Sequence, residues 1–470
     1  MRKANFFTWI IIFLLALLAP ACSGSPAAAP TLSQGPSFAA TTTEEILSPP
    51  DVAAQPTSTP DPPTAELPTD TAIPLETFSL TPEQPDTIPD KADSELQVVY
   101  THENNLWLWK SDGTQTQLTD SYEAFAPKIS PDGKLVAYLQ GLDIYNAELW
   151  VMEIDGNKKR QLVGTDYLAA LPREADAVGT MIGEFTWVPG SLTLAYNTIQ
   201  LFEIPSSPQN NDLRLVDANT GAKTLLQEPG QGGKFTYSPD GSQIALVTPN
   251  SLSLTNADGS NRRDILTFPV IYTNGGWNYY PQPVWAPDSG HLRVAIPPQD
   301  ALNNPQAFTF IWHIPADGSI PHMAGEFVAI PAYVSAPLIS PDTQKVIYLY
   351  AVGEALDQLE LRLLDLTDGS QSALYTGSIT LHNWNPDSDR FVFAQNFGTD
   401  FYIGQLGVPF DAIADASVRQ NLEWISPDQF IFTSGDYENR ELRIEVLNEP
   451  STVIAQPFGE SFTFDFHPKP

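Results

Sequence analysis

The sequence predicts an all-β protein folded as a β-propeller of eight four-stranded blades, with seven as the alternative count. Two observations carry this. A phrase made of a hydrophobic residue, a small polar residue and Pro-Asp recurs along the chain at intervals of roughly 40 to 60 residues, the period of a propeller blade. Each copy is followed by two strand-like apolar runs separated by turn residues.

The phrase reads Ile129-Ser130-Pro131-Asp132-Gly133 and Tyr237-Ser238-Pro239-Asp240-Gly241 in its fullest copies. Looser copies run Trp285 to Ser289, Ile339 to Thr343, Trp384 to Ser388 and Ile425 to Gln429, and a degenerate one is Trp187 to Gly190. Proline presets φ and glycine accepts a positive φ, so the phrase predicts a tight turn joining strands a and b. Strand b is the apolar run after it, as in Lys134 to Leu139 or Gln243 to Val247. Strand c alternates with period two, as in Glu148 to Ile154 and Leu361 to Leu366. Its end carries a second turn signal, for example Asp155-Gly156, Asp258-Gly259 or Asp368-Gly369, leading into strand d. If the weak unit around Trp187 or the short one around Trp384 is not separate, the count drops to seven.

The two ends of this region complete one another. Leu96 to Thr119 supplies strands b, c and d with no strand a, and Phe462 to Pro468 supplies a strand a with nothing after it. Together they predict one blade closed from both ends, which leaves the ring without an open edge.

The Ser-Pro-Asp-Gly copies resemble the WD40-like propeller repeat of TolB-type periplasmic proteins and of the propeller domains of dipeptidyl peptidase IV-like proteins, over residues 96–470. The resemblance implies a binding scaffold. It does not extend to the hydrolase domain of those peptidases, and no Gly-x-Ser-x-Gly nucleophile elbow occurs.

Ahead of the repeats, Met1-Arg2-Lys3, an apolar core from Phe6 to Leu18 and Ala19-Pro20-Ala21-Cys22 describe a secretory leader over residues 1–21. Cys22 is the only cysteine, and its place resembles a bacterial lipoprotein box, which predicts lipidation there and an envelope-anchored, extracytoplasmic protein. Cleavage by an ordinary signal peptidase, with plain secretion, is the alternative. Residues 22–95 are rich in Pro, Thr, Ser and Ala with scattered acids, a composition that predicts a disordered tether.

The formal net charge is −33 at pH 7, which excludes nucleic acid and anionic lipid surfaces as partners. The six histidines show no ligand spacing, no EF-hand loop occurs, and neither a cofactor nor a metal is expected. The chain is expected to be a monomer.

Binding groups belong on the long, irregular b–c and d–a connections. The loop from Ile271 to Pro283 stands out there, joining Trp277, Tyr279 and Tyr280 to Asn274, Asn278 and Gln282. Tyr145 and Tyr167 come from neighbouring loops. Aromatic faces beside amides suit sugar or peptide recognition. The competing reading packs these rings against a neighbouring blade or into the channel. The function that follows is a non-enzymatic scaffold for a protein, peptide or glycan. The alternatives are a lyase or glycosidase working over the channel and a purely structural envelope component.

Overall fold

The computed structural model describes residues 95–203, 211–273, 275, 277–353, 358–395, 400–407, 411–412, 419–436, 438–457, 459 and 462–468. The leader, Cys22 and the tether up to residue 94 lie outside them. Eight four-stranded antiparallel sheets are present, each hydrogen-bonded in the order a-b-c-d. Blade 1 unites Phe464–His467 as strand a with Gln97–His102, Asn105–Lys110 and Gln115–Gln117. Blades 2 to 8 then span 124–163, 177–227, 234–267, 284–328, 338–377, 379–412 and 419–455. The units around Trp187 and Trp384 are therefore both complete blades, and the count is eight.

The recurring phrase builds the a–b turn through its side chains. In blade 4 the Ser238 hydroxyl, wholly buried, donates to Asp240 Oδ1 (2.6 Å) and accepts from the Gln243 backbone N–H (3.0 Å). Ser130 and Ser340 repeat this with their own aspartates and with the Leu135 and Lys345 amides. In blade 7 Asn385 takes the serine's place, and its Oδ1 accepts from the Arg390 amide (2.9 Å). The hydrogen bond from Ser238, and then that from the Ser242 amide, hold the Asp240 carboxyl down at about 2.

The fifth residue of the phrase has positive φ in blades 2, 4, 5, 6 and 7, 71° at Gly133 and 72° at Gly241. Where glycine is replaced, φ stays near 60° at Ser289, Thr343 and Ser388, a conformation that disfavours a side chain. Each of these side chains reaches the neighbouring blade. Ser289 Oγ accepts from the Asp240 amide (3.1 Å), Ser388 Oγ from the Asp342 amide (2.8 Å), and Thr343 Oγ1 meets His291 Nε2 (2.9 Å).

The aromatic position of the phrase joins blades on the strand a side. Indole Nε1 of Trp187, Trp285 and Trp384 donates to the carbonyls of Lys128, Thr236 and Leu338, each on strand a of the preceding blade. In blade 8 a register shift between Trp424 and Ser426 brings Trp424 into this role, bonded to Asn383 Oδ1 (3.0 Å). The ring closes at blade 1. Asp465 Oδ2 accepts from the Ile129 amide (2.7 Å), and Thr463 exchanges hydrogen bonds with Thr101 while accepting from the Ala126 amide.

Three of the six histidines, scattered in sequence, meet on blade 5. His291, His313 and His322 lie on its strands b, c and d, with centroids 4.4 Å apart for the first pair and 4.7 Å for the second. Burial, then the neighbouring His291, His322 and Arg293, push the His313 imidazole down to about 4.

Two outcomes are expected. Ser238→Ala leaves the Gln243 amide without its side-chain partner and destabilises the fold by about 1–3 kcal/mol, read by denaturant unfolding, whereas Ser260→Ala in an exposed c–d turn costs less than about 0.5 kcal/mol. His313 is held well below its ordinary 6.5, so the unfolded chain takes up more protons than the folded one as pH falls. Its contribution is intact above pH 6.5 and is lost between there and about 4. Unfolding free energies of His313→Gln measured across that window should show a shallower decline than the unsubstituted chain.

Candidate binding face

Antiparallel blades place the a–b and c–d turns at one end and the b–c and d–a connections at the other. The first set is short. The second is uneven, from the single residue Ser378 between blades 6 and 7 to the 268–283 connection between blades 4 and 5. Strands Ala177–Trp187 and Thr193–Phe202 of blade 3 are 11 and 10 residues long, so most of the hairpin flanking Gly183 and Asn197 is paired backbone raised on this face.

The 268–283 connection divides its aromatics. Tyr279 is 8% exposed and packs with Ile271 and with Ala332 and Tyr333 of the connection between blades 5 and 6, so it seats one connection on the other; burial pushes its hydroxyl up to about 12. Trp277 is 46% exposed and stands edge-on to Tyr333, with centroids 6.4 Å apart. Its backbone carbonyl accepts from Thr273 Oγ1 (2.6 Å). Tyr280 is half-buried beneath Lys234, whose Nζ lies 5.5 Å from the ring and 3.4 Å from Glu184. Burial raises the Tyr280 pKa, and a hydrogen bond with Asn278 opposes that rise. Gln282 is exposed, and Asn274 lies outside the described residues.

The two tyrosines from other loops have different settings. Tyr145 is 54% exposed on a short 3-10 helix, Ile144–Asn146, whose N-terminus is capped by Asp143 accepting from the Tyr145 and Asn146 amides. Tyr167 is half-buried on the helix Thr165–Ala169. Its hydroxyl accepts from Arg214 Nη1 (3.1 Å), and Lys223 Nζ lies 5.0 Å from its ring. Arg214 is itself buried against Asp212 (2.6 Å), and that carboxylate also accepts from the Thr198 amide and hydroxyl. This is a satisfied ion pair fixing the base of the blade 3 hairpin.

A groove of about 510 Å³ opens beside blade 4, between the connections that enter and leave it. The blade 4 b–c turn, Thr248 to Ser251, forms one wall. The 3-to-4 connection, Gly230 to Gly232, forms another, and Val270 with Asn278 brings in the 268–283 connection. A Cβ on Gly232 would lie 2.5 Å from the Asp212 backbone, so only glycine allows this approach. Gly230 and Gly232 both donate to the Asn211 carbonyl. Of the expected contact residues that are described, Asn278 is the one that lines this groove. Gln231, Asn250 and Arg262 were not singled out in the sequence; the Gly-Gln-Gly-Gly run at 230–233 was the one signal for them. Among the described residues no group of three or more His, Cys, Asp and Glu side chains is placed to hold a metal ion, and no helix is long and apolar enough to cross a membrane.

No protein-family model and no curated protein matches the chain. Solved structures do resemble it. An oligogalacturonate lyase in complex with manganese is 17% identical over 73% of this chain and 83% of its own, with a TM-score of 0.41. Dipeptidyl peptidase 4 from Porphyromonas gingivalis is 12% identical over 70% and 53%, with a TM-score of 0.47. TolB from Acinetobacter baumannii is 12% identical over 60% and 64%, with a TM-score of 0.31. Likeness at this level concerns the fold alone. Its eight four-stranded sheets make the chain an eight-bladed β-propeller.

Proposed function

We propose that the chain is a non-enzymatic binding scaffold of the cell envelope, presenting its b–c and d–a face to a protein, peptide or glycan partner. The observation that carries this is the asymmetry of the ring's two ends. One end is made of near-identical turns whose polar side chains are consumed by their own hydrogen bonds, as at Ser238 and Asp240. The other holds the groove, the raised blade 3 hairpin, and Trp277 and Tyr145 with half of their surface open to solvent. Exposed aromatics on rigid scaffolds are the usual anchors of recognition.

The anchor to the envelope is Cys22, lipidated after removal of residues 1–21. The acidic character of the chain, −33 overall, favours neutral or cationic partners.

Two experiments test this. Full-length protein used to capture partners from envelope extract should retain a partner that Trp277→Ala with Tyr145→Ala weakens at least about tenfold. Lys158→Ala, in an exposed c–d turn on the opposite face, should retain it fully. Partners indifferent to the double substitution would remove this face from consideration. Cys22→Ser should abolish incorporation of labelled palmitate and move the protein from the membrane fraction to the soluble one; unchanged fractionation would refute the anchor.

A further inference from the structure

We propose that the groove beside blade 4 is a binding site for an uncharged oligosaccharide. The inference rests on the loop-rich end being a binding face and names what one part of it takes.

The groove's charges cancel one another. The Arg262 guanidinium donates to Gln227 Oε1 (3.0 Å), to the Gln231 carbonyl and to Ser253 Oγ (3.4 Å), and pairs with Asp264 at 3.7 Å. Three of its five N–H donors are taken by the protein, and the adjacent carboxylate balances its charge. An anionic ligand finds no unmatched cation here, and a cationic one meets Arg262.

What remains on the walls is neutral and two-sided. The side-chain amides of Gln231, Asn250 and Asn278 carry both donors and acceptors, as does the Thr267 hydroxyl. Sugar hydroxyls also donate and accept, so they match such walls better than a group of a single polarity does. Pro249 and Val270, the latter 40% exposed, add an apolar ledge of the sort on which the C–H face of a pyranose can rest.

The walls are also held in place. Thr248 Oγ1 lies 2.6 Å from Ser251 Oγ and donates to Asn250 Oδ1 (3.0 Å), the Asn250 carbonyl accepts from the Phe268 amide (2.9 Å), and Asn278 is tied to Tyr280. A pre-formed polar groove avoids the ordering cost that weakens sugar binding to mobile loops. Its volume of about 510 Å³ falls within the range of small-ligand sites, roughly 300–1,000 Å³, which suits a short oligosaccharide.

Calorimetric titration of the full chain with cellohexaose, xylohexaose, maltohexaose, mannohexaose and chitohexaose, against hexagalacturonate as the anionic counterpart, tests the assignment. At least one neutral hexasaccharide should bind, with an affinity that added salt leaves unchanged and at least about tenfold tighter than hexagalacturonate. Gln231→Ala and Asn278→Ala should each weaken it about tenfold, and Lys158→Ala should not. Circular dichroism and melting confirm that each variant is folded; Gln231 is exposed, so its truncation leaves the core intact. No heat from any neutral sugar, a preference for hexagalacturonate, or indifference to both variants overturns the proposal. If the sugars fail while a captured partner still depends on Trp277 and Tyr145, the sugar assignment falls and the binding face stands. If capture also ignores that pair, both fall.

Discussion

Everything in this molecule depends on closing the ring at blade 1, where strands from opposite ends of the propeller share one sheet. Closure couples residues more than 300 positions apart through the Thr101–Thr463 exchange and the Asp465 carboxylate on the Ile129 amide. These bonds convert seven internal sheets and two fragments into a circle in which every strand a is paired and flanked. Without them blades 2 and 8 would each present an unsealed side, and the indole-to-carbonyl links would have a beginning and an end.

Around that circle one short phrase performs two tasks. Its serine, proline and aspartate make the a–b turn, and its first residue, when tryptophan, reaches the preceding blade. The departures are informative. Serine or threonine in the left-handed position of blades 5, 6 and 7 accepts a backbone conformation that glycine takes more readily, and each contributes a hydrogen bond to an adjacent blade. Local strain and inter-blade attachment offset one another. The price of this use of polar groups is that the a–b and c–d end has little left to offer a partner.

The opposite end is free to vary because its connections carry no repeat. There the chain places its raised hairpin, its exposed Trp277 and Tyr145, and a groove whose single arginine is already neutralised. A rigid ring beneath such loops limits how far they move, so recognition at this face draws on groups held ready. Tyr279 is spent differently: with Ile271 it anchors the long connection against Ala332 and Tyr333 of the next one.

Blade number, turn positions and the shared closing blade were legible in the sequence because each rests on local chemistry. Pro-Asp-Gly turns, period-two alternation and the unmatched ends at Leu96 and Pro468 act within a few residues of themselves. The candidate site was legible only in part. The long connections could be found by exclusion, but which of Trp277, Tyr279 and Tyr280 faces solvent is set by Tyr333 and Lys234, from other segments. The stacking of His291, His313 and His322, the Arg214–Asp212 pair closed by Tyr167, and the groove joining Gln231, Asn250 and Asn278 were decided by tertiary structure. Each requires side chains from separate strands or loops to converge, and sequence spacing records only contacts that the backbone makes with its near neighbours.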